Sequence, residues 1–352
     1  MKREYYLDLA AKGLRTPIGA DLILHEKPDH AAILLDGKRL AGVMMEAATI
    51  YKTPFAFPVM DLELEKAAVL GILGITESVH TFHFDSCPDD AAVARFEANI
   101  NGPLTARMQA NVDAVREVAR VGTHLPVGMS IGPVSLMTKF IGDPITPIFM
   151  AGMGTTADED EEIKTIERVL EFSTRIVLRS IQAQIEAGAK AIFIAEPAAN
   201  VAYFSPKQMA ESSEIWDRYV MSTNRRVKAL LDQHGVDLLF HCCGELNDAM
   251  VAKFAELDPA ILSLGSPRVL WEDAKFVPKN IVLFGNLPTK KFYSDDAISP
   301  EQVVEMTREL VKKMRATGHP FILGSECDVL SVPNCVGIIR KKIDLMLTCD
   351  CG

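Results

Sequence analysis

The sequence predicts an α/β fold, a single-domain (β/α)8 TIM barrel with an N-terminal extension, on three observations. Short apolar runs rich in β-branched and aromatic residues recur along the chain. Stretches of helical periodicity separate them, the alternation that builds parallel sheets. The runs number eight, the count at which such a sheet closes on itself. With 352 residues, 48% hydrophobic and 24% charged, the chain has enough apolar material for one large core. The competing open nucleotide-binding sheet lacks its signature, because neither common Gly-rich phosphate loop occurs.

Taken in order, residues 1–50 form an N-terminal extension or cap, with residues 34–40 a small hairpin or cap inside it. Residues 51–352 form the barrel. Expected strands cover residues 55–60, 79–84, 126–131, 191–196, 236–241, 261–265, 281–286 and 321–325. The acidic run at residues 158–162 is a solvated helix start, opening a long amphipathic helix from Glu161 to about Ala187 that stops near Gly188. Ser205-Pro206 opens another, reaching about His234. Ser299-Pro300-Glu301-Gln302 joins a capping Ser to a Pro suited to the first helical position and a Gln that completes a capping box; Gly318 ends that helix. Met129, Met137, Met150 and Met153 either fill core or line an adaptable pocket.

The chain carries 37 Lys and Arg against 47 Asp and Glu, so its net charge of −10 repels nucleic acid and anionic membranes. Its first residues lack the apolar centre of a secretory signal. The longest clean apolar stretch, residues 67–75, falls far short of the ~20 residues of a membrane span, which predicts a cytoplasmic protein. Seven cysteines, an odd number crowded toward the C-terminal third, read as thiols in a reducing compartment.

Barrel chemistry sits at the C-terminal ends of the strands. Asp61, Ser130, Glu196, His241, Cys243, Asn286 and Cys327 all fall there. The sharpest signal is an apolar strand ending in His241-Cys242-Cys243-Gly244. On extended backbone His241 and Cys243 share a face and Cys242 points away. An imidazole and a thiolate aimed at one point suit zinc, and Cys327, past the last strand, is the third candidate ligand, because a narrow bore lets distant residues converge. Taken singly, either cysteine would be a structural thiol.

Glu196, ending its strand, has three open roles: a zinc ligand displaced by substrate, a general acid or base, or an acceptor for nearby backbone amides. Glu326 is a second candidate for that work. His80 and His83 do not share a strand face and read as loop or core residues. Cys242 packs behind its strand, Cys87 and Cys335 sit in a loop and a helix, and Cys349 and Cys351 read as a frayed, reduced C-terminal tail in preference to a metal-binding C-x-C.

These residues resemble the uroporphyrinogen decarboxylase superfamily, in its zinc-dependent corrinoid methyltransferase branch. The markers are Met60-Asp61-Leu62-Glu63-Leu64-Glu65, Gly132-Pro133, Glu196-Pro197, His241-x-Cys243-Gly244, Gly285-Asn286-Leu287 and the segment from Cys327 to Pro333. The resemblance implies zinc held by His241, Cys243 and Cys327, and a corrinoid carried by a partner protein docking over the barrel mouth. The arginine-rich N-terminal signature of the decarboxylase itself is missing. Where thiol-methylating relatives show an acidic residue, this chain reads Leu264-Gly265-Ser266-Pro267.

The function so implied is transfer of a methyl group from a small methyl ether, aromatic ones included, to the cobalt of the corrinoid protein in an O-demethylase system. Asp61, Asn286 and Tyr203 are the candidate substrate-binding residues, and Glu196 and Glu326 the catalytic ones. Tyr203, Phe204, Met150 and Met153 suit an aromatic ether or core packing equally. The alternatives are a methylcobalamin:thiol methyltransferase acting on a thiol such as coenzyme M, a uroporphyrinogen decarboxylase-like protein without metal, and a non-enzymatic metal- or corrinoid-binding barrel.

Overall fold

Eight parallel strands curl into one sheet: β1 (Arg15–Ile18), β2 (Phe55–Ala56), β3 (Leu125–Ile131), β4 (Ala191–Ala195), β5 (Asp237–Cys242), β6 (Ile261–Leu264), β7 (Val282–Leu287) and β8 (Phe321–Asp328). The computed structural model describes residues 3–351. The strand order is β1-β8-β7-β6-β5-β4-β3-β2, and helices alternate with the strands, giving the expected (β/α)8 barrel in a single domain.

Strand periodicity divides the apolar residues into two cores. One cluster takes Ile18, Phe55, Val127, Phe193, Leu239, Ile261, Val282 and Ile322, one from each strand, and is therefore the barrel interior. Their neighbours, among them Ile192, Ile194, Phe240, Leu262 and Leu283, join the outer core against the helices. Burying a side chain of this size stabilises by roughly 1.5–3 kcal/mol, so an inner ring repeated on every strand contributes much of the fold.

The helix Glu4–Ala11 closes the N-terminal end of the bore. Tyr6, fully buried, stacks on Phe55 at 6.3 Å between ring centres and donates to Asp237 Oδ2 at 2.8 Å. Arg3 binds the Pro259 carbonyl and, at 2.8 Å, Asp258 Oδ2. The C-terminal end is left as the working face.

Several expectations are corrected. Residues 79–84 form turns, not a strand: Phe82 and Phe84 meet edge to face at 4.9 Å, and the Phe82 carbonyl accepts from Lys66 Nζ at 2.8 Å. The eighth strand is instead β1, from the stretch expected to precede the barrel. Arg15-Thr16-Pro17-Ile18 shows no apolar alternation, and Pro17 cannot donate, which suits a strand at one end of the order, bonded to β8 alone. The second strand stops at Ala56, short of the expected residue 60, with Pro58 soon after.

Residues 34–40 are no hairpin. Asp36 caps the helix Gly37–Ile50, its carboxylate accepting from Lys38 N at 3.0 Å and Arg39 N at 3.1 Å. The single helix expected from Ser205 is broken: Pro206–Glu211 ends at Ser212, whose backbone is extended, and a π-helical turn at Asp217–Met221 precedes Ser222–Gln233. Glu161–Glu186 forms as expected, capped by Asp160. So does Pro300–Thr317, with both halves of its capping box made and Gly318 left-handed at φ 61°.

Candidate metal centre

His241 lies on β5, Cys243 one residue beyond it, and Cys327 near the end of β8. One ligand atom from each lies within 4.8 Å of the others, and among the described residues no carboxylate joins this group. Parity explains the selection on β5: Cys242 turns outward, fully buried, its Sγ 3.4 Å from the Ala199 carbonyl. Gly265 lets the chain after β6 press close, since a Cβ there would lie 2.7 Å from Cys243 Cα.

The donor set was tested against a metal by its hydrogen bonds. His241 is fully buried; its Nδ1 pairs with Ser263 Oγ of β6 at 2.9 Å, Phe193 stacks on the ring at 5.3 Å, and Nε2 has no hydrogen-bond partner among the described residues. A buried, orphaned ring nitrogen normally costs stability unless something binds it. Tetrahedral zinc at ~2.3 Å from sulfur separates two thiolates by about 3.8 Å, within the observed spread. Two sulfurs and one imidazole with the second nitrogen held by a hydroxyl therefore fit such an ion.

The two thiols also polarise each other. The Cys327 thiol, then His241 and Lys290, hold Cys243 well below the usual thiol range, against the effect of burial. Cys327 is pushed up by the Cys243 thiolate and by burial. Lys290, in the short turn Thr289–Lys291 after β7, was missed by sequence reasoning. Burial pulls its ammonium down, but the charges of Cys243, Cys327 and Glu326 more than reverse this. Its only signal was its position just past a strand end.

The remaining candidates surround this group without joining it. Glu326, 5% exposed, accepts from Ser266 Oγ at 2.6 Å and from Lys290 N at 3.2 Å, so it ties the loops after β6 and β7 together. Ser266 belongs to the very stretch that lacks an acid. Glu196 is fully buried and accepts from Ser135 N at 2.6 Å, Val134 N at 3.4 Å and Asn224 Nδ2 at 3.1 Å. Burial pushes its carboxyl up. A Cβ on Gly132 would sit 2.2 Å from it. Of its three considered roles, the observed contacts are those of the backbone-amide acceptor.

Asp61 accepts from Glu63 N at 3.1 Å and lies 3.5 Å from Arg107 Nε. Asn286 donates to the Gly265 carbonyl at 2.8 Å and the Arg268 carbonyl at 2.7 Å, bracing the Ser266 loop. Tyr203 is partly buried against the outer core, and Phe204 is fully buried, edge-on to Trp216 at 5.1 Å. Met129 and Met137 are buried, whereas Met150 and Met153 are 39% and 66% exposed. His80 pairs with Glu63 at the surface.

Two buried acids escaped the sequence reading. Asp328, beside Cys327, is pushed far up by burial and then by Asp21; its Oδ2 accepts from Met60 N at 3.3 Å and Oδ1 has no partner. Glu65 accepts from Ser130 Oγ at 2.8 Å, and burial raises its carboxyl to about 7. No described helix is long and apolar enough to cross a membrane.

No curated protein sequence matches the chain. A methyltransferase from Methanosarcina mazei superposes with a TM-score of 0.64 at 15% identity, covering 98% of each chain, and is similar in fold. Tryptophan synthase from M. tuberculosis, at 11% identity over 67% of this chain and 97% of its own, reaches a TM-score of 0.24, too low to carry an argument. The model of the uroporphyrinogen decarboxylase (URO-D) family matches residues 83–334, a span that holds β3 to β8 and all three candidate ligands. With that span covering most of its length, the chain belongs to the uroporphyrinogen decarboxylase (URO-D) family.

Proposed function

We propose that this protein is a zinc-dependent methyltransferase that passes a methyl group from a small methyl ether to the cobalt of a corrinoid held by a partner protein. The observation that carries the reading is the convergence of His241, Cys243 and Cys327 within 4.8 Å, with His241 Nε2 buried and unpartnered. Zinc on these residues would supply Lewis acidity toward a substrate oxygen or sulfur. Ser263 would hold the His241 ring in register, and Glu326 would fix the loops that carry Ser266 and Lys290 beside the two sulfurs. The Methanosarcina mazei neighbour is a methyltransferase, which agrees with this class of reaction.

Lys290 favours a second reading, transfer of the methyl group to a thiol. An ammonium close to Cys243, Cys327 and Glu326 suits an anionic acceptor. The deciding experiment supplies the zinc-loaded protein and a methylated or reduced corrinoid protein with methyl ethers, aromatic and aliphatic, and with thiols in parallel. Demethylation of an ether supports the first reading. Turnover of thiols alone replaces it with the second, and no methyl transfer with either rejects both.

A further inference from the structure

The C-terminal tail carries a second pair of sulfurs, far in sequence from the first. Cys349 Sγ and Cys351 Sγ lie 3.8 Å apart, both half-buried. Three arginines clamp the backbone between them. Arg15 Nη1 binds the Cys349 carbonyl at 2.8 Å, Arg308 Nε the Asp350 carbonyl at 2.8 Å and Arg315 Nη1 the Cys351 carbonyl at 3.3 Å. A tail at liberty to fray would not hold two thiols face to face; this one is anchored to β1 and to the helix Pro300–Thr317. A disulfide would close this gap to ~2.05 Å.

The surroundings of Cys351 carry a charge opposite to that of the whole molecule. A cavity of about 690 Å³ is lined by Arg308, Lys312, Arg315, Ala316, Asp350 and Cys351. Among the described lining residues three are cationic and one is a carboxylate, on a chain whose net charge is −10. A concave basic site concentrates small anions at its wall. Cys351 lines this cavity and Cys349 does not. Burial and the neighbouring Cys351 raise the Cys349 thiol, marking it as the inner partner of the pair.

We propose that Cys349 and Cys351 form a thiol–disulfide exchange site that reacts with a small anionic disulfide bound in the cavity of Arg308, Lys312 and Arg315. The Cys351 thiolate attacks one sulfur of the ligand, the ligand S–S bond breaks, and one half leaves as a thiolate that takes up a proton. Cys349, losing its proton to solvent, then attacks Cys351 Sγ and displaces the second half. The tail is oxidised to a disulfide, and the ligand is reduced to two thiols. This site stands apart from the metal centre and does not depend on the methyl-transfer reading.

The test uses the reduced full-length protein with glutathione disulfide, which is anionic, and cystamine, which is cationic, followed by peptide mapping of all seven cysteines. The Cys349–Cys351 peptide is expected to lose two hydrogens on treatment with glutathione disulfide and to recover them with dithiothreitol. Cys349→Ser should trap a glutathione adduct on Cys351, because the displacing thiol is gone. Lys312→Gln, which leaves the arginine clamp intact, should slow glutathione disulfide about tenfold and leave cystamine no slower. A tail that stays reduced while other cysteines react overturns the proposal. So does an adduct trapped on another residue, or a Lys312→Gln variant that reacts with both disulfides at the original rates.

Discussion

At the scale of the residue, the candidate metal centre rests on three converging donors. His241 Nε2 is buried with no hydrogen-bond partner among the described residues, and the cation beside the two sulfurs is the Lys290 ammonium. His241→Ala, Cys243→Ala and Cys327→Ala should each abolish stoichiometric zinc, read by elemental analysis of the purified protein. Ser263→Ala removes only the hydroxyl behind the imidazole and should weaken zinc by about 10–100-fold in a chelator competition. Glu65 makes a separate prediction, on pH. Its carboxyl titrates at about 7 when folded against 4.5 ordinarily, so the native state holds the proton more tightly and stability falls as pH rises between those values. Glu65→Gln keeps an acceptor for Ser130 and should remove on the order of 2 kcal/mol of stability difference between about pH 5 and pH 8, measured by urea unfolding. The sequence exposed His241 and Cys243 because strand parity alone pairs them. It did not expose Lys290, Glu65 or Asp328, whose significance comes from neighbours distant along the chain.

At the scale of the element, capping chemistry was legible and weak strands were not. Ser299 and Gln302 each satisfy a backbone amide of the other's turn, a local pattern written in four residues. Ser299→Ala should therefore cost about 1 kcal/mol of stability with zinc content unchanged. Gly265→Ala should behave differently. The added Cβ would meet Cys243 backbone atoms at 2.7 Å, so zinc affinity should drop together with the midpoint of thermal unfolding. The strand expected at residues 79–84 failed because an aromatic cluster satisfies its apolar residues without a sheet partner. The helix expected from Ser205 failed at Ser212, where the backbone turns extended and Glu211-Ser212-Ser213-Glu214 offers no apolar residue to carry the buried face across.

At the scale of the whole molecule, the N-terminal stretch is structural, not an appendage. Ile18 joins the inner core, β1 pairs with β8, and Tyr6 closes the bore against Asp237. Removing residues 1–18 should leave β8 without that neighbour and expose the inner core. The expected outcome is loss of the cooperative thermal transition and of the near-ultraviolet circular dichroism signal. A truncated chain that unfolds as cooperatively as the full one would overturn this account. By itself the sequence determined the alternation of strands and helices, the helix caps and the shared face of His241 and Cys243, because each rests on periodicity or on residues a few positions apart. Only the tertiary structure decided which run supplies the remaining strand, that Glu196 accepts from backbone amides, and that Cys327 reaches His241 and Cys243. Those outcomes turn on the curling of the sheet, which brings together groups separated by tens to hundreds of residues, and no local pattern encodes that proximity.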